Sequence, residues 1–423
     1  MRRREKISWC LYDFGNSAYT TIIVTVAYSV YFTEVVAKED GVTLWGRAIA
    51  ISMLAVAFLS PLLGALADFS GRKKGFLTCF TLLAVIFTAL LYFVDEGDIA
   101  IGLLFFIGAN ICYNAALTFY DSFLKDLAEP NQTGRLSGYG FAIGYIGGFF
   151  SLLAVYPLLK GGFSAESRPL FRLSFVVTAF FFLIFSLPAL TFLRERASSD
   201  AALQGRQTAL PLLVGFQRVG ETVRQIGKFR ELSIFFIAYF FYNDAINTII
   251  AYSSVFATKV LQFSPSELVL YFIIMQVSAA VGSFLFAPFT DVWGAKRTIQ
   301  STLIVWVVIV VWAYFVTSRG AFYALGLSAG AILGPTQAAS RALLARFAPI
   351  TKSTEFFGFF ALTGKISASI GPLFYGEIVR VSGSQRWATL SLGLFFLAGI
   401  FILNTVREEK GIKEAEDYTD KVQ

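Results

Sequence analysis

The sequence predicts an all-α polytopic membrane protein whose twelve transmembrane helices form two six-helix bundles. Hydrophobic residues make up 56% of the 423, mean hydropathy is +0.66 and only 15% are charged. A soluble chain of this size could not hide that much apolar side chain. Apolar runs of roughly 20 residues, each long enough to cross ~30 Å of hydrocarbon, recur along its whole length. Finally, Tyr12 to Ile23 (YDFGNSAYTTII) returns 227 positions later as Tyr239 to Ile250 (YFFYNDAINTII), identical at seven of twelve places. The chain is therefore a duplication of one half, both copies running the same way relative to the membrane.

The twelve runs lie near 7–35, 44–67, 75–94, 99–124, 137–159, 169–193, 231–257, 266–289, 298–317, 320–344, 355–379 and 387–405. The first is too long and too polar for a cleavable signal and reads as a helix that stays. The longest polar stretch, Arg194 to Arg230, divides the chain into a first bundle (1–193), a linker (194–230), a second bundle (231–406) and a tail (407–423). The linker opens with the flexible RERASSDAALQGRQ, then places Val219, Val223 and Ile226 on one stripe, as an amphipathic helix at the membrane surface would. With twelve crossings, one set of connecting segments carries 25 Lys and Arg and the other nine, with Lys365 left inside a crossing. That bias makes the N- and C-termini cytoplasmic and accounts for the +7 charge without a nucleic-acid partner.

Several chemistries are excluded at this stage. The chain has no histidine, the commonest metal ligand and general base. Its three cysteines, Cys10, Cys79 and Cys112, all fall inside apolar runs and read as packing residues. Nothing resembles an ATP-binding loop, so no cofactor, metal or catalytic residue is expected. Work must come from a gradient, either the solute's own or a coupled proton's.

Polar residues inside the crossings mark the path. In the fourth run Asn110, Asn114, Thr118 and Asp121 recur at helical spacing, a stripe that must face the bundle interior or a wet cavity. The first run supplies Asp13, Asn16, Ser17 and Thr20, and the seventh supplies Asn243, Asp244, Asn247 and Thr248. A carboxylate in a dry core takes up a proton, so Asp13, Asp121 and Asp244 are each paired, wet or proton-carrying; for Asp13 and Asp121 structural and coupling roles both stay open. Lys365 lies ten residues into the eleventh run, ~15 Å deep, beyond the reach of snorkelling. It is expected at the central site, meeting a solute carboxylate or a carboxylate such as Asp244. Tyr145 and Gln337 complete the candidate lining. Gly140, Gly144 and Gly148 give the fifth helix a smooth side, and Gly334-Pro335 and Gly371-Pro372 are expected to kink the tenth and eleventh.

The loop GALADFSGRKK (Gly64, Asp68, Gly71, Arg72, Lys73) returns in part as APFTDVWGAKR around Asp291. It resembles the signature loop of the major facilitator superfamily, which implies the major facilitator fold and a conformational latch, joined by Arg341 at the inner end of the tenth helix. The stretches WCLYDFGNSAY (Trp9 to Tyr19), SGYGFAIGYIGG (Ser137 to Gly148), GPTQAASR (Gly334 to Arg341) and FGFFALTGKISASIGP (Phe357 to Pro372) resemble the vacuolar-effluxer branch of that superfamily and its bacterial relatives. The resemblance implies a monomeric, lipid-embedded transporter of a bacterial inner membrane. Its expected cargo is a small organic solute, amino acids as the family-level reading, moved by alternating access and with protons as the coupling ion if there is one. Another metabolite, or a transport-inactive sensor on the same fold, is the alternative.

Overall fold

The computed structural model describes residues 2–195 and 226–422 apart from Ala165 and Ser264, together with 217, 219–222 and 224. Most of the expected linker helix lies outside the described residues. The first six crossings are α1 (Arg2–Ala18, continued to Val36), α2 (Gly41–Ser70), α3 (Lys73–Leu90), α4 (Ile99–Leu127), α5 (Thr133–Leu159) and α6 (Arg168–Phe192). The second six are α7 (Arg230–Leu261), α8 (Pro265–Trp293), α9 (Ala295–Phe315), α10 (Arg319–Phe347), α11 (Ser353–Ser382) and α12 (Gln385–Thr405). Here the last residues, expected as a plain tail, form a further helix, α13 (Glu408–Val422).

Among the described residues, eleven segments are long and apolar enough to cross a membrane by length and composition. The remaining expected crossing, α10, has the length, at 29 residues, but is rich in Gly, Ala and Ser and carries Thr336, Gln337 and Arg341. Most of its second half is buried in protein, so it needs no lipid-facing apolar surface. The α10 and α11 helices run through Pro335 and Pro372 without ending. In α11 the disturbance is absorbed locally, the Gly371 N–H donating to Asp244 Oδ1 at 2.8 Å.

Helix α1 changes character halfway. From Tyr19 to Val26 (YTTIIVTV) the turns widen to a π-helical pattern, and the Ala27 N–H reaches back to the Ile22 carbonyl at 2.7 Å. Crowded β-branched side chains lower the preference for tight α turns, and Thr25 Oγ1 donates to the Thr20 carbonyl at 2.9 Å. The first bundle is held behind it by a stack of rings, Trp9 on Tyr120 (4.6 Å) and Tyr12 on Tyr120 (4.7 Å). Trp9 Nε1 also donates to the Tyr120 carbonyl at 2.9 Å.

The bundles meet through α2 against α11 and α5 against α8. Near the end that carries both termini, here called the basic end, these helices touch almost backbone to backbone. A Cβ added to Gly64 would lie 2.4 Å from the Thr354 carbonyl oxygen, and one on Gly358 2.5 Å from that of Ser60. Glycine is what permits this approach. The basic end is closed. Replacing Gly64 by Val should therefore favour separation of α2 from α11 by an overpacking penalty of ~1–3 kcal/mol. With the three native cysteines replaced by Ala, a Ser353→Cys probe, buried in the parent, should react with a water-soluble maleimide at least several-fold faster in the Gly64→Val background. Equal rates would contradict the packing argument.

Candidate functional site

Helices α2, α4, α7 and α11 enclose a cavity of about 550 Å³. The polar stripe of α4 is what opens it. Asn110 is buried and spent on α2, its Nδ2 donating to Ser52 Oγ at 2.6 Å, while Asn114 donates to the Asn110 carbonyl at 2.7 Å. Asn114, Thr118 and Asp121 then face the cavity on successive turns. From α7, Asn243 donates to Ser367 Oγ (2.8 Å) and Asn247 to the Asn243 carbonyl (2.9 Å), and both line the space. Lys365 of α11 completes the polar wall; Tyr239, Phe357 and Phe360 provide an aromatic one. An ammonium and several amides set among rings suit a solute with a carboxylate and an apolar part, because charge attraction gains strength where water is scarce.

At the edge of this cavity Asp121 meets Arg341. The Arg341 Nη1 donates to Asp121 Oδ1 at 2.8 Å and lies 3.5 Å from Asp13 Oδ2; its Nε and Nη2 donate to Ser137 Oγ and the Ser137 carbonyl, each at 3.0 Å. The guanidinium also lies 4.7 Å from the centre of the Trp9 ring and 4.2 Å from that of Phe141. All these partners belong to the first bundle, although Arg341 belongs to the second. Exposure separates the roles, since the Arg341 side chain is 4% exposed and Asp121 25%, on the cavity side. The two residues stand 220 positions apart, the same offset that relates the ends of α4 and α10 (Leu127, Phe347) and the starts of α5 and α11 (Thr133, Ser353). Equivalent positions of the two copies thus carry opposite charges and pair with one another.

The signature-loop aspartates act on helix ends. Asp68 accepts the Glu355 N–H at the start of α11 (2.8 Å), and Asp291 accepts those of Gly134 (2.8 Å) and Arg135 (3.1 Å) at the start of α5. Each carboxylate crosses to the opposite bundle and meets the positive end of a helix dipole. Gly71 and Gly294 turn these loops with φ of +62° and +90°. Lys73, by contrast, pairs within its own bundle, with Asp126 at 3.0 Å, and Arg72 is exposed at the head of α3. Beyond each loop the copies agree again. The Lys74 N–H donates to Glu195, and the Ala295 and Lys296 N–H groups donate to Glu408 (3.3 and 3.1 Å). Arg346 then ties Glu408 (2.9 Å) to Asp291 (3.7 Å).

Of the residues singled out from sequence, Asn114, Asp121, Asn243, Asn247 and Lys365 share the one cavity. Asp244 does not reach it, being fully buried on the Gly371 N–H, so its expected place as a partner of Lys365 or of a solute is not where this structure has it. Asn16 is also buried, donating to Asp13 Oδ1 at 3.2 Å behind the Arg341 cluster. Tyr145 donates to Gln337 Oε1 at 2.8 Å, a bond between bundles, and Tyr145 lines a second, mostly apolar cavity of about 330 Å³ with Thr20, Thr21, Thr25 and Gln276. Sequence reading missed Ser137, Arg346 and the Glu195 and Glu408 caps. The last pair was visible as Arg194-Glu195 and Arg407-Glu408 after the sixth and twelfth runs.

Known proteins resemble this chain in sequence and in fold. Residues 44–416 match the family model described as vacuole effluxer Atg22 like. Across 99% of its length the chain is 31% identical to an uncharacterized MFS-type transporter, YxiO of Bacillus subtilis (strain 168), and covers 98% of that protein. It is 24% identical to autophagy-related protein 22 of Eremothecium gossypii, covering 98% of this chain and 93% of the relative. Two solved structures share the fold: the human organic anion transporter MFSD10 (TETRAN), with a TM-score of 0.71 at 17% identity over 95% of this chain and 99% of that one, and the major facilitator superfamily transporter FucP in the outward conformation, with 0.73 at 12% over 96% and 98%. The chain therefore belongs to the vacuole effluxer Atg22-like family of major facilitator superfamily transporters.

Proposed function

We propose that the protein carries a small carboxylate-bearing organic solute, amino acids being the first class to test, by rocking the bundles 1–193 and 231–406 about the cavity between them. The observation that carries the reading is Lys365 in the wall of a closed-ended cavity that it shares with the amides of Asn114, Asn243 and Asn247 and with one carboxylate, Asp121, which is already engaged by Arg341. A cation so placed selects an anionic group and, deep in the membrane, is retained for function. The basic end is the cytoplasmic one on the positive-inside rule, and it is the shut end in this state.

Coupling is assigned to Asp121. On one side it faces the cavity with Lys365 of α11 and Tyr239 of α7; on the other it holds Arg341 of α10, backed by Asp13 of α1. A proton arriving through the cavity neutralises Asp121 and weakens its hold on the guanidinium that joins the bundles. Emptying or filling the cavity and opening the basic end are then linked through one carboxylate.

Two outcomes follow. Lys365→Met, folded and monodisperse, should lose at least ~100-fold of solute uptake in proteoliposomes, the loss expected when a charge-assisted contact worth ~3 kcal/mol is removed; uptake at the parent rate would refute the site. Asp121→Asn should retain solute exchange between equal concentrations yet lose accumulation driven by an imposed proton gradient. Undiminished gradient-driven accumulation would remove Asp121 from the coupling role.

A further inference from the structure

A groove of about 1330 Å³ at the basic end of the second bundle, bounded by the ends of α7, α8, α9 and α12 and by the start of α13, takes no part in the solute path described above. Its charges fall into two sets. Arg346 is used by Glu408 and Asp291, Lys410 by Glu231 at 3.5 Å, and Lys296 Nζ by the Asn404 (2.9 Å) and Val406 (2.6 Å) carbonyls. Arg230, Arg297 and Arg407 also line the groove, are exposed, and make no side-chain hydrogen bond or ion pair among the described residues. The exposed carboxylate left facing them is Glu409. Three guanidiniums thus line one concavity whose own exposed acid is Glu409, with Glu414 of α13, outside the lining, also near Arg230.

The geometry points to a binding site for the phosphate of an anionic phospholipid of the adjoining leaflet, held by Arg230, Arg297 and Arg407. Guanidinium forks match the oxygens of a phosphate two at a time, which makes arginine the suited residue for such a group. The depth is right, because Trp293, Gln300 and Asn404 of the groove wall stand within about one and a half turns of the ends of their helices, near headgroup level. The source of the phosphate is indicated by the flank. Val292 is 78% exposed and Trp293 50%, and above them on α8 Leu285 and Phe289 are exposed too, giving acyl chains an apolar strip that leads to the arginines. A soluble anion would have no use for that strip. Basic pockets between helices on the inner side of a membrane are suited to anionic headgroups for the same reasons.

The site abuts the circuit in which Glu408, Arg346 and Asp291 reach the first bundle, so a bound lipid adds negative charge beside the closed gate. The test uses the full-length protein in zwitterionic detergent and follows its melting temperature on titration with phosphatidylglycerol, phosphatidylcholine or inorganic phosphate. Phosphatidylglycerol should raise the melting temperature by several degrees more than phosphatidylcholine. The Arg230→Gln/Arg297→Gln/Arg407→Gln triple variant should lose that difference while melting as the parent does in phosphatidylcholine. The single Arg297→Gln variant, on the helix edge, should lose part of it, and it carries the test if the triple variant is not well folded. Equal shifts with the two lipids, or a parental difference in Arg297→Gln, would overturn the site. A shift with inorganic phosphate as large as with phosphatidylglycerol, and abolished by the same substitutions, would overturn the lipid assignment in favour of a soluble anion.

Discussion

A guanidinium that is 4% exposed inside a membrane protein must find its solvation in the protein, since an unpaired charge there costs several kcal/mol. Arg341 finds its solvation entirely on the other bundle, in two carboxylates, a serine side chain and carbonyl, and two ring faces. The shell draws on α1, α4 and α5 together, with Asp13 buried in it and the ring stack on Tyr120 beside it. Under the rocking motion proposed above, parting of the bundles at the basic end would dismantle the shell and leave water to replace it. The charge therefore favours the closed gate seen here, and in the proposed open one it would have hydration to fall back on.

The two signature-loop aspartates extend the same logic to the backbone. A helix start presents N–H groups with no partner of their own, and Asp68 and Asp291 fill that need from the opposite bundle. Each contact is polar and each is replaceable by water once exposed, whereas a greasy seam would make separation prohibitive. Small side chains around Gly64 and Gly358 bring the backbones close without adding apolar area. A gate built of charge, caps and glycine suits the proposed motion, which needs closed and open states within a few kcal/mol of each other for a bound solute or proton to decide between them.

Much of this was legible in the sequence, for reasons that can be named. The twelve runs match the helices to within about five residues at each end because hydrocarbon thickness fixes their length. The cavity was legible through the α4 stripe and through Lys365, since polar groups at that depth have few places to go. Asp244 misled because depth and charge do not reveal azimuth; its helix turns it towards the loosened backbone at Gly371, a need that the Gly-Pro dipeptide announced but did not assign. Arg341 was read as a latch at a helix end, but its partners come from α1, α4 and α5, a convergence that only the packed bundles disclose. The cap made by Glu408 was obscured by the charged sequence of α13, which reads like a solvated tail.

The pairing of Asp121 with Arg341 has a consequence for the symmetry of the two halves. In an assembly of two identical subunits, a residue beside the twofold axis faces its own copy. Two aspartates or two arginines would meet there, and like charges a few ångströms apart in a dry setting repel by several kcal/mol. This salt bridge therefore requires two copies that differ at the equivalent position, as the two halves of this chain do. Either half paired with an identical copy of itself would set like charges against each other at this point of the gate.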